Sequence, residues 1–182
     1  MGKLYFYYGT MGASKSAEAL ICKHRYEEES KRVLLCKSKQ ATRDGECVIK
    51  SRIGLYSKAV VLEDLFQNIN LQEIGHIIKL YDVIIVDEVQ FCSEDTINLL
   101  SDITDTYDIP IICYGLKTAH NTKLFEGSKR LIEIADKVSE IKNICNCGRK
   151  ALFNIKLDGD DINGNYVACC RKCAKKYIRK DE

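Results

Sequence analysis

The chain has 182 residues, 46% of them hydrophobic and 30% charged, enough for one α/β domain with a buried core and at most a small appendage. Its 28 basic and 26 acidic residues leave a formal charge of +2, which excludes any argument from net charge for a nucleic-acid or membrane-surface partner. The opening MGKLYFYYGT has no long apolar h-region and no stretch approaches the roughly 18 to 20 apolar residues that span a bilayer, so a soluble, cytoplasmic protein with neither membrane nor nucleic acid as partner is expected.

Leu4 to Tyr8 is an apolar and aromatic run ending at Gly9, and Lys15 to Glu28 carries helix formers with Leu20, Ile21 and Tyr26 on an inner face. The pattern predicts strand, glycine turn and helix. Val33 to Cys36 predicts a second strand, followed from Lys37 to Ser51 by a polar stretch that reads as a loop. Val60 and Val61 give a short strand, and Leu62 to Leu80 has helical character that Asn70 and Gly75 argue against running unbroken. Val83 to Val86 is uniformly apolar, as a parallel strand covered on both faces requires, and it runs straight into Asp87 and Glu88. Ser93 is placed to cap a helix with Ile97, Leu99, Leu100 and Ile103 as its apolar positions. Ile109 to Cys113 predicts another buried strand before Tyr114 and Gly115, and Gly127 to Val138 one more helix. Strands alternating with helices imply a doubly wound parallel sheet flanked by helices.

Gly9-Thr10-Met11-Gly12-Ala13-Ser14-Lys15-Ser16 stands between the first strand and the first helix, where the G-x-x-x-x-G-K-[ST] phosphate loop belongs. That chemistry needs main-chain N–H groups curled around an anion, a helix N-terminus aimed at it, a lysine on the β and γ phosphates and a hydroxyl on Mg²⁺. Lys15 and Ser16 supply the last two. Ser14 departs from the pattern, which has glycine there so that the main chain approaches phosphate without a Cβ in the way; an ordinary glycine turn capped by serine is the bland alternative. Downstream, VIIVDEVQF matches the apolar strand whose terminal acid meets Mg²⁺. Asp87 takes that role, and Glu88 is the candidate to accept a proton from an attacking hydroxyl or to position a water; the bland alternative is two acids that merely follow a buried strand to the surface.

Ten cysteines divide into five scattered ones (Cys22, Cys36, Cys47, Cys92, Cys113) and five within the last forty residues, which points to a reducing compartment and a metal rather than a disulfide scaffold. Cys145 and Cys147 form one close pair, Cys170 and Cys173 another, with residues 148–169 between them. Two such pairs suit a structural, tetrahedral Zn²⁺ with no open position; Cys169 is a spare able to replace Cys170, and disulfides are the alternative. Lys172, Lys175, Lys176, Arg179 and Lys180 read as a solvated basic tail before a nucleic-acid patch. The expected division is a P-loop nucleotide-binding domain over residues 1–138 and a zinc-binding module over 139–182.

Taken in order, YFYYGTMGASKS, TRDGECVIKSRIGL, VIIVDEVQF, IPIICYGLKT, LFEGS, ICNCGRKA and YVACCRKC resemble the type II thymidine kinase family, tetrameric cytosolic enzymes, over nearly the whole chain. The resemblance implies transfer of the γ-phosphoryl of ATP·Mg²⁺ to the 5′-hydroxyl of thymidine by a homotetramer. Glu88 matches the family's general base, Asp87 its Mg²⁺-associated acid, and Gly9 through Ser16 its ATP-binding loop, with Gln90 grouped with the phosphate-binding residues. Met11, Phe91, Leu116, Phe125 and Tyr166 match nucleoside-pocket positions, and His120 stands where a phenylalanine stacks on the base. Arg43 matches a flexible loop that approaches the substrates, and a lasso closes the pocket between the cysteine pairs. Ala41 replaces a frequent aspartate, and DGDDINGN shortens the lasso. His120 and the short lasso leave open a related P-loop deoxynucleoside kinase of altered base choice, and Ser14 leaves open a catalytically weak nucleotide-binding regulator.

Overall fold

A computed structural model describes residues 1–41, 45, 47–67, 71–157 and 166–178. Six strands form one sheet: β1 (Leu4–Tyr8), β2 (Val33–Lys37), β5 (Val60–Val61), β6 (Val83–Asp87), β7 (Ile111–Gly115) and β8 (Lys137–Glu140), in the order β5-β2-β6-β7-β1-β8. Every pairing within it is parallel. The uniform hydrophobicity of VIIV has the cause its sequence suggested: consecutive side chains point to opposite faces, and both faces are covered. Ile84 and Val86 enter a core with Leu4, Phe6 and Leu34, closed by Ile74, Ile78, Ile97, Leu100, Ile103 and Leu131. Val83 and Ile85 enter a second core with Leu35, Ile112, Ala19 and Leu20. Helices α3 (Leu71–Ile78), α4 (Glu94–Tyr107) and α5 (Glu126–Ile134) therefore lie on the first face, and α1 (Lys15–Glu28) on the other.

Ser93 does cap α4, its hydroxyl accepting from the Thr96 N–H at 3.2 Å. Four expectations need correction. Ile21 is 37% exposed, because only Ala19, Leu20 and their neighbours on α1 face the sheet. The stretch read as loop after Lys37 contains β3 (Val48–Lys50), paired antiparallel with β4 (Tyr56–Lys58). Ile49 fixes this hairpin to the second core, and the buried Lys37 ammonium holds its base by donating to the carbonyls of Gly45 at 2.7 Å and Val48 at 3.1 Å. The strand expected at Ile109 starts two residues later, after Pro110, whose carbonyl accepts from the Ile84 N–H. The last helix stops at Ile134, and Val138 belongs instead to β8, an edge strand that pairs only with β1. An edge strand of composition KVSE offers no apolar alternation to read.

The helical stretch after Val61 is interrupted, as α2 (Leu62–Phe66) and α3, but Asn70 lies outside the described residues and Gly75 lies inside α3. Gly75 is small because a β-carbon there would run into the Tyr107 ring, so it serves packing between α3 and α4. Beyond Glu140, β9 (Phe153–Lys156) pairs antiparallel with β10 (Tyr166–Cys169), and α6 (Arg171–Ile178) follows. Among the described residues no helix is long and apolar enough to cross a membrane.

Gly127, in the first turn of α5, faces the turn that follows Asp87 and Glu88: a β-carbon would stand 2.6 Å from the Val89 carbonyl oxygen and 2.7 Å from that of Cys92. Main-chain atoms cannot swing aside. Gly127→Ala is expected to destabilise the protein by about 1–3 kcal/mol, the scale of overpacking, and so to reverse the gain of about 1 kcal/mol that alanine brings to a helix interior. A denaturant melt in which the variant matches or exceeds the wild type would refute this packing account.

Candidate functional site

Because β1, β6, β7 and β8 run parallel, their C-terminal ends open on one edge of the sheet, the edge where ligands of open α/β sheets bind. The connection from β1 to α1 carries Gly12 at φ 78° and Ser14 at φ 61°, both left-handed. Such residues curl main-chain N–H groups toward one concave side, and α1 begins at Lys15 with its N-terminal dipole directed into the same space. The Ala13 N–H donates to the Thr10 carbonyl at 3.2 Å, closing the turn. Lys15 is buried, and its ammonium donates to the Thr10 carbonyl at 3.0 Å. Ser14 caps α1 without using its hydroxyl on the helix, which removes the capped-turn explanation of its presence.

Asp87 ends β6 and is 2% exposed. Burial first, and then the neighbouring Glu88 carboxylate, raises its pKa to about 6; the hydroxyl of Ser16, the Glu88 N–H and the Lys15 charge pull the other way. The β1–α1 loop and the end of β6 thus meet through a Ser16–Asp87 hydrogen bond. A carboxylate so poorly solvated gains from any cation that settles beside it. Glu88 has φ 54° and ψ 34°, a left-handed conformation that costs a residue with a β-carbon roughly 1–2 kcal/mol and points to function where it persists.

Gln90 explains how Glu88 is held. Its Nε2 donates to Glu88 Oε2 at 2.5 Å, while its Oε1 accepts the Leu116 N–H at 2.9 Å. One buried amide therefore ties the Glu88 carboxylate to the residue that follows β7. Gly115 leaves room for it, since a β-carbon there would stand 2.7 Å from Gln90 Oε1. The Ser128 hydroxyl donates to the Leu116 carbonyl at 2.5 Å and fixes the same residue from α5.

The six residues matched to the nucleoside pocket fall into smaller groups. Phe91 and Phe125 pack edge to face with centroids 5.6 Å apart, and His120 and Tyr166 lie 6.4 Å apart at 52°. Leu116 joins the first pair through Gln90, and Met11 stands on the phosphate loop. Arg43 and residues 158–165, which hold the shortened lasso, lie outside the described residues. Three further side chains reach the loop. Asn154 Oδ1 accepts the Met11 N–H at 2.7 Å, Asn143 Nδ2 donates to Thr10 Oγ1 at 3.0 Å and to the Met11 carbonyl at 2.9 Å, and Arg52 Nη1 lies 3.8 Å from where a β-carbon on Gly12 would sit. The asparagines match none of the motifs above, and Arg52 falls inside TRDGECVIKSRIGL without a role of its own there.

The sulfurs of Cys145, Cys147, Cys170 and Cys173 lie within 4.8 Å of one another. Separations of 3.6 Å for Cys145–Cys147 and 3.5 Å for Cys147–Cys170 are far too long for a disulfide at about 2.05 Å. All ten cysteines are free. The Cys147 and Cys170 N–H groups draw the Cys145 thiol down to about 6, whereas hydrogen bonds within the sulfur cluster push Cys173 up to about 12. Four sulfurs competing for so little positive charge suit a soft divalent cation with a closed shell of ligands. Cys169 is not a member: it is buried with Ile155 and Ala174, because consecutive residues along β10 face opposite ways.

The thymidine kinase family profile matches residues 2–174. The thymidine kinase of Enterobacteria phage T4 is 40% identical over 191 aligned residues, covering 99% of each chain. The chain belongs to the thymidine kinase family. The thymidine kinase of Zymomonas mobilis is 39% identical over 187 residues, 94% of this family member and 95% of its own length. That of Streptococcus gordonii is 37% identical over 196 residues, 100% and 98% of the two chains. A Pif1 helicase from Candida albicans covers 79% of this chain and 36% of its own at 17% identity, with a TM-score of 0.49, a likeness too loose to bear on function.

In this family member the serine in the phosphate loop occupies a conformation that glycine adopts freely. Ser14→Gly is expected to leave nucleotide affinity unchanged or improve it, and to stabilise the protein by up to about 1 kcal/mol through relief of left-handed strain. Calorimetric ADP titration beside Ser14→Ala checks it: equal loss of affinity in both variants would show that the hydroxyl itself binds phosphate.

Proposed function

We propose that the chain catalyses transfer of the γ-phosphoryl group of ATP to the 5′-hydroxyl of thymidine, giving dTMP, in the cytoplasm as a homotetramer. The observation that carries this reading is the buried contact between Ser16 of the phosphate loop and Asp87, with the strained Glu88 next in the chain. Relatives about 40% identical over nearly their whole length bear the name of that activity.

In the proposed mechanism the main-chain N–H groups between Gly9 and Ser16, together with Lys15, bind the ATP phosphates. Ser16 and Asp87 would hold Mg²⁺, which would supply charge neutralisation to the ATP phosphates. Glu88 accepts the proton of the 5′-hydroxyl as its oxygen bonds to the γ phosphorus and the bond to the bridging β–γ oxygen breaks. Gln90 aims the Glu88 carboxylate and, through Leu116, holds it at a fixed distance from the end of β7. Phe91 and Phe125 on one side, with His120, Tyr166, Leu116 and Met11, enclose the base. Cys145, Cys147, Cys170 and Cys173 would hold Zn²⁺ as a cross-link at the base of the lasso, with residues 1–138 supplying the chemistry and 139–182 the closure. His120 beside Tyr166 supports a second reading, a deoxynucleoside kinase of altered base choice. Measuring ATP consumption against a panel of deoxynucleosides separates the two, and no turnover with any of them would leave only a nucleotide-binding regulator.

Glu88→Gln is expected to retain nucleotide binding and lose turnover by roughly a hundredfold or more, the scale of general-base help. Turnover within threefold of wild type, read under saturating ATP and thymidine, would take Glu88 out of this role. Metal analysis of freshly purified protein is expected to give about one zinc per chain, lost together with thermal stability on chelation, as in small sites where metal binding contributes folding energy. Metal-free protein with oxidised thiols would contradict the assignment.

A further inference from the structure

We propose that Asn143 and Asn154 are positioning residues that clamp the phosphate loop, and that through them the four-cysteine module supports nucleotide binding as well as the lasso. The inference rests on the nucleotide-binding reading above.

The clamp is built around one residue of the loop, Met11, and so holds the peptide on either side of it. The Met11 N–H donates to Asn154 Oδ1, and the Met11 carbonyl accepts from Asn143 Nδ2, which also reaches Thr10 Oγ1. The orientation of the Asn143 amide is fixed independently, because its Oδ1 accepts the Ile144 N–H at 2.8 Å; the NH₂ must then face the loop. Asn154 is 4% exposed, so the hydrogen bond it accepts is shielded from water. Both asparagines act on the first half of the loop. The second half, Ala13 to Ser16, where phosphate is bound, is left unobstructed.

Such a clamp has a physical reason. The loop holds glycine at positions 9 and 12, and both Gly12 and Ser14 are left-handed, a turn with few conformational restraints of its own and some strain. Gly9 is gripped closely, since a β-carbon there would stand 2.7 Å from the Ile141 carbonyl oxygen, and its N–H donates to the Gly115 carbonyl. Between Gly9 and the start of α1, the loop's tether to the rest of the chain in this clamp is the two amides. Fixing the loop before phosphate arrives removes an ordering cost that binding would otherwise carry.

Each asparagine is tied to one cysteine pair. Asn143 precedes Cys145 by two residues, and its carbonyl accepts the Ala151 N–H at 2.8 Å across the turn that carries Cys147. Asn154 lies on β9 in register with Ala168 on β10, two residues before Cys170. A cation drawing the four sulfurs together would therefore fix both the segment after β8 that carries Asn143 and the strand β9 that carries Asn154.

The test is calorimetric ADP binding, with hydrogen–deuterium exchange of the segment 9–13 read by mass spectrometry, on zinc-loaded protein. Asn143→Ala and Asn154→Ala are each expected to weaken ADP by about fivefold or more, the scale of a neutral hydrogen bond, and to speed exchange at Met11, with zinc content unchanged. Asn154→Asp keeps the acceptor and is expected to keep Met11 protected, whereas Asn143→Asp loses both donors and is not. Should the alanine variants fold poorly, wild-type protein decides: chelation under conditions that leave β6 protected is expected to speed exchange at Met11. Unchanged ADP affinity and Met11 exchange in both alanine variants, or Met11 unmoved by chelation, would overturn the clamp. Wild type that binds ADP through the clamp yet phosphorylates no thymidine would instead overturn only the proposed reaction.

Discussion

The parallel pairing of β6 with β7 and of β7 with β1 is the constraint on which the site depends. Residues 84–86 of β6 lie level with 111–113 of β7, and β1 pairs with β7 from Leu4 to Tyr8. Strands in parallel register end on the same edge, so Asp87 and the loop that begins at Gly9 emerge side by side, although 78 residues of sequence separate them. The Ser16–Asp87 hydrogen bond is the consequence. Burial of Val83 to Val86 on both faces holds that register against a slip, because a shift of one residue would exchange the side chains of the two cores.

On this frame the site is assembled by buried polar contacts. The Gln90 amide links Glu88 to Leu116, Ser128 holds Leu116 after β7, and Gly127 packs closely on the turn after β6. A glutamate held left-handed would relax if any of these contacts were loose. Strain at Glu88 and at Ser14 is thus sustained by the packing of α5 against the turn after β6 and by the closed turn of the loop, neither of which is local to the strained residue.

The cysteine module shows how a small element gains order from a cluster of like groups. Its own apolar core is slight, with Cys145, Ala151 and Cys170 in one patch and Ile155, Cys169 and Ala174 in another. Burial of so few side chains cannot fix a fold of this size. Four sulfurs within reach of one ion would supply what the core lacks, and the hydrogen bonds of Asn143 and Asn154 connect the module to the β1–α1 loop.

The sequence by itself determined the parts whose physics is local. The run VIIV marks a strand covered on both faces, the glycine turn before Lys15 marks an anion nest at a helix start, and two close cysteine pairs mark a metal site. Each signal is short-range: the strand stands where it was expected, the turn before Lys15 has left-handed Gly12 and Ser14, and the four cysteines of the two pairs come together. Tertiary structure alone decided what depends on distant partners. The β3–β4 hairpin is legible only once Ile49 has a helix to pack against and Lys37 has carbonyls to hold. β8 is a strand because β1 offers its edge, not because KVSE prefers one. Cys169 ends β10 against Ile155 and Ala174, whereas Cys170, the next residue, joins the other three sulfurs, a difference that no spacing reveals. Asn143 and Asn154 acquire their partners from a loop more than 130 residues away, and an amide carries no periodicity that would announce such a contact.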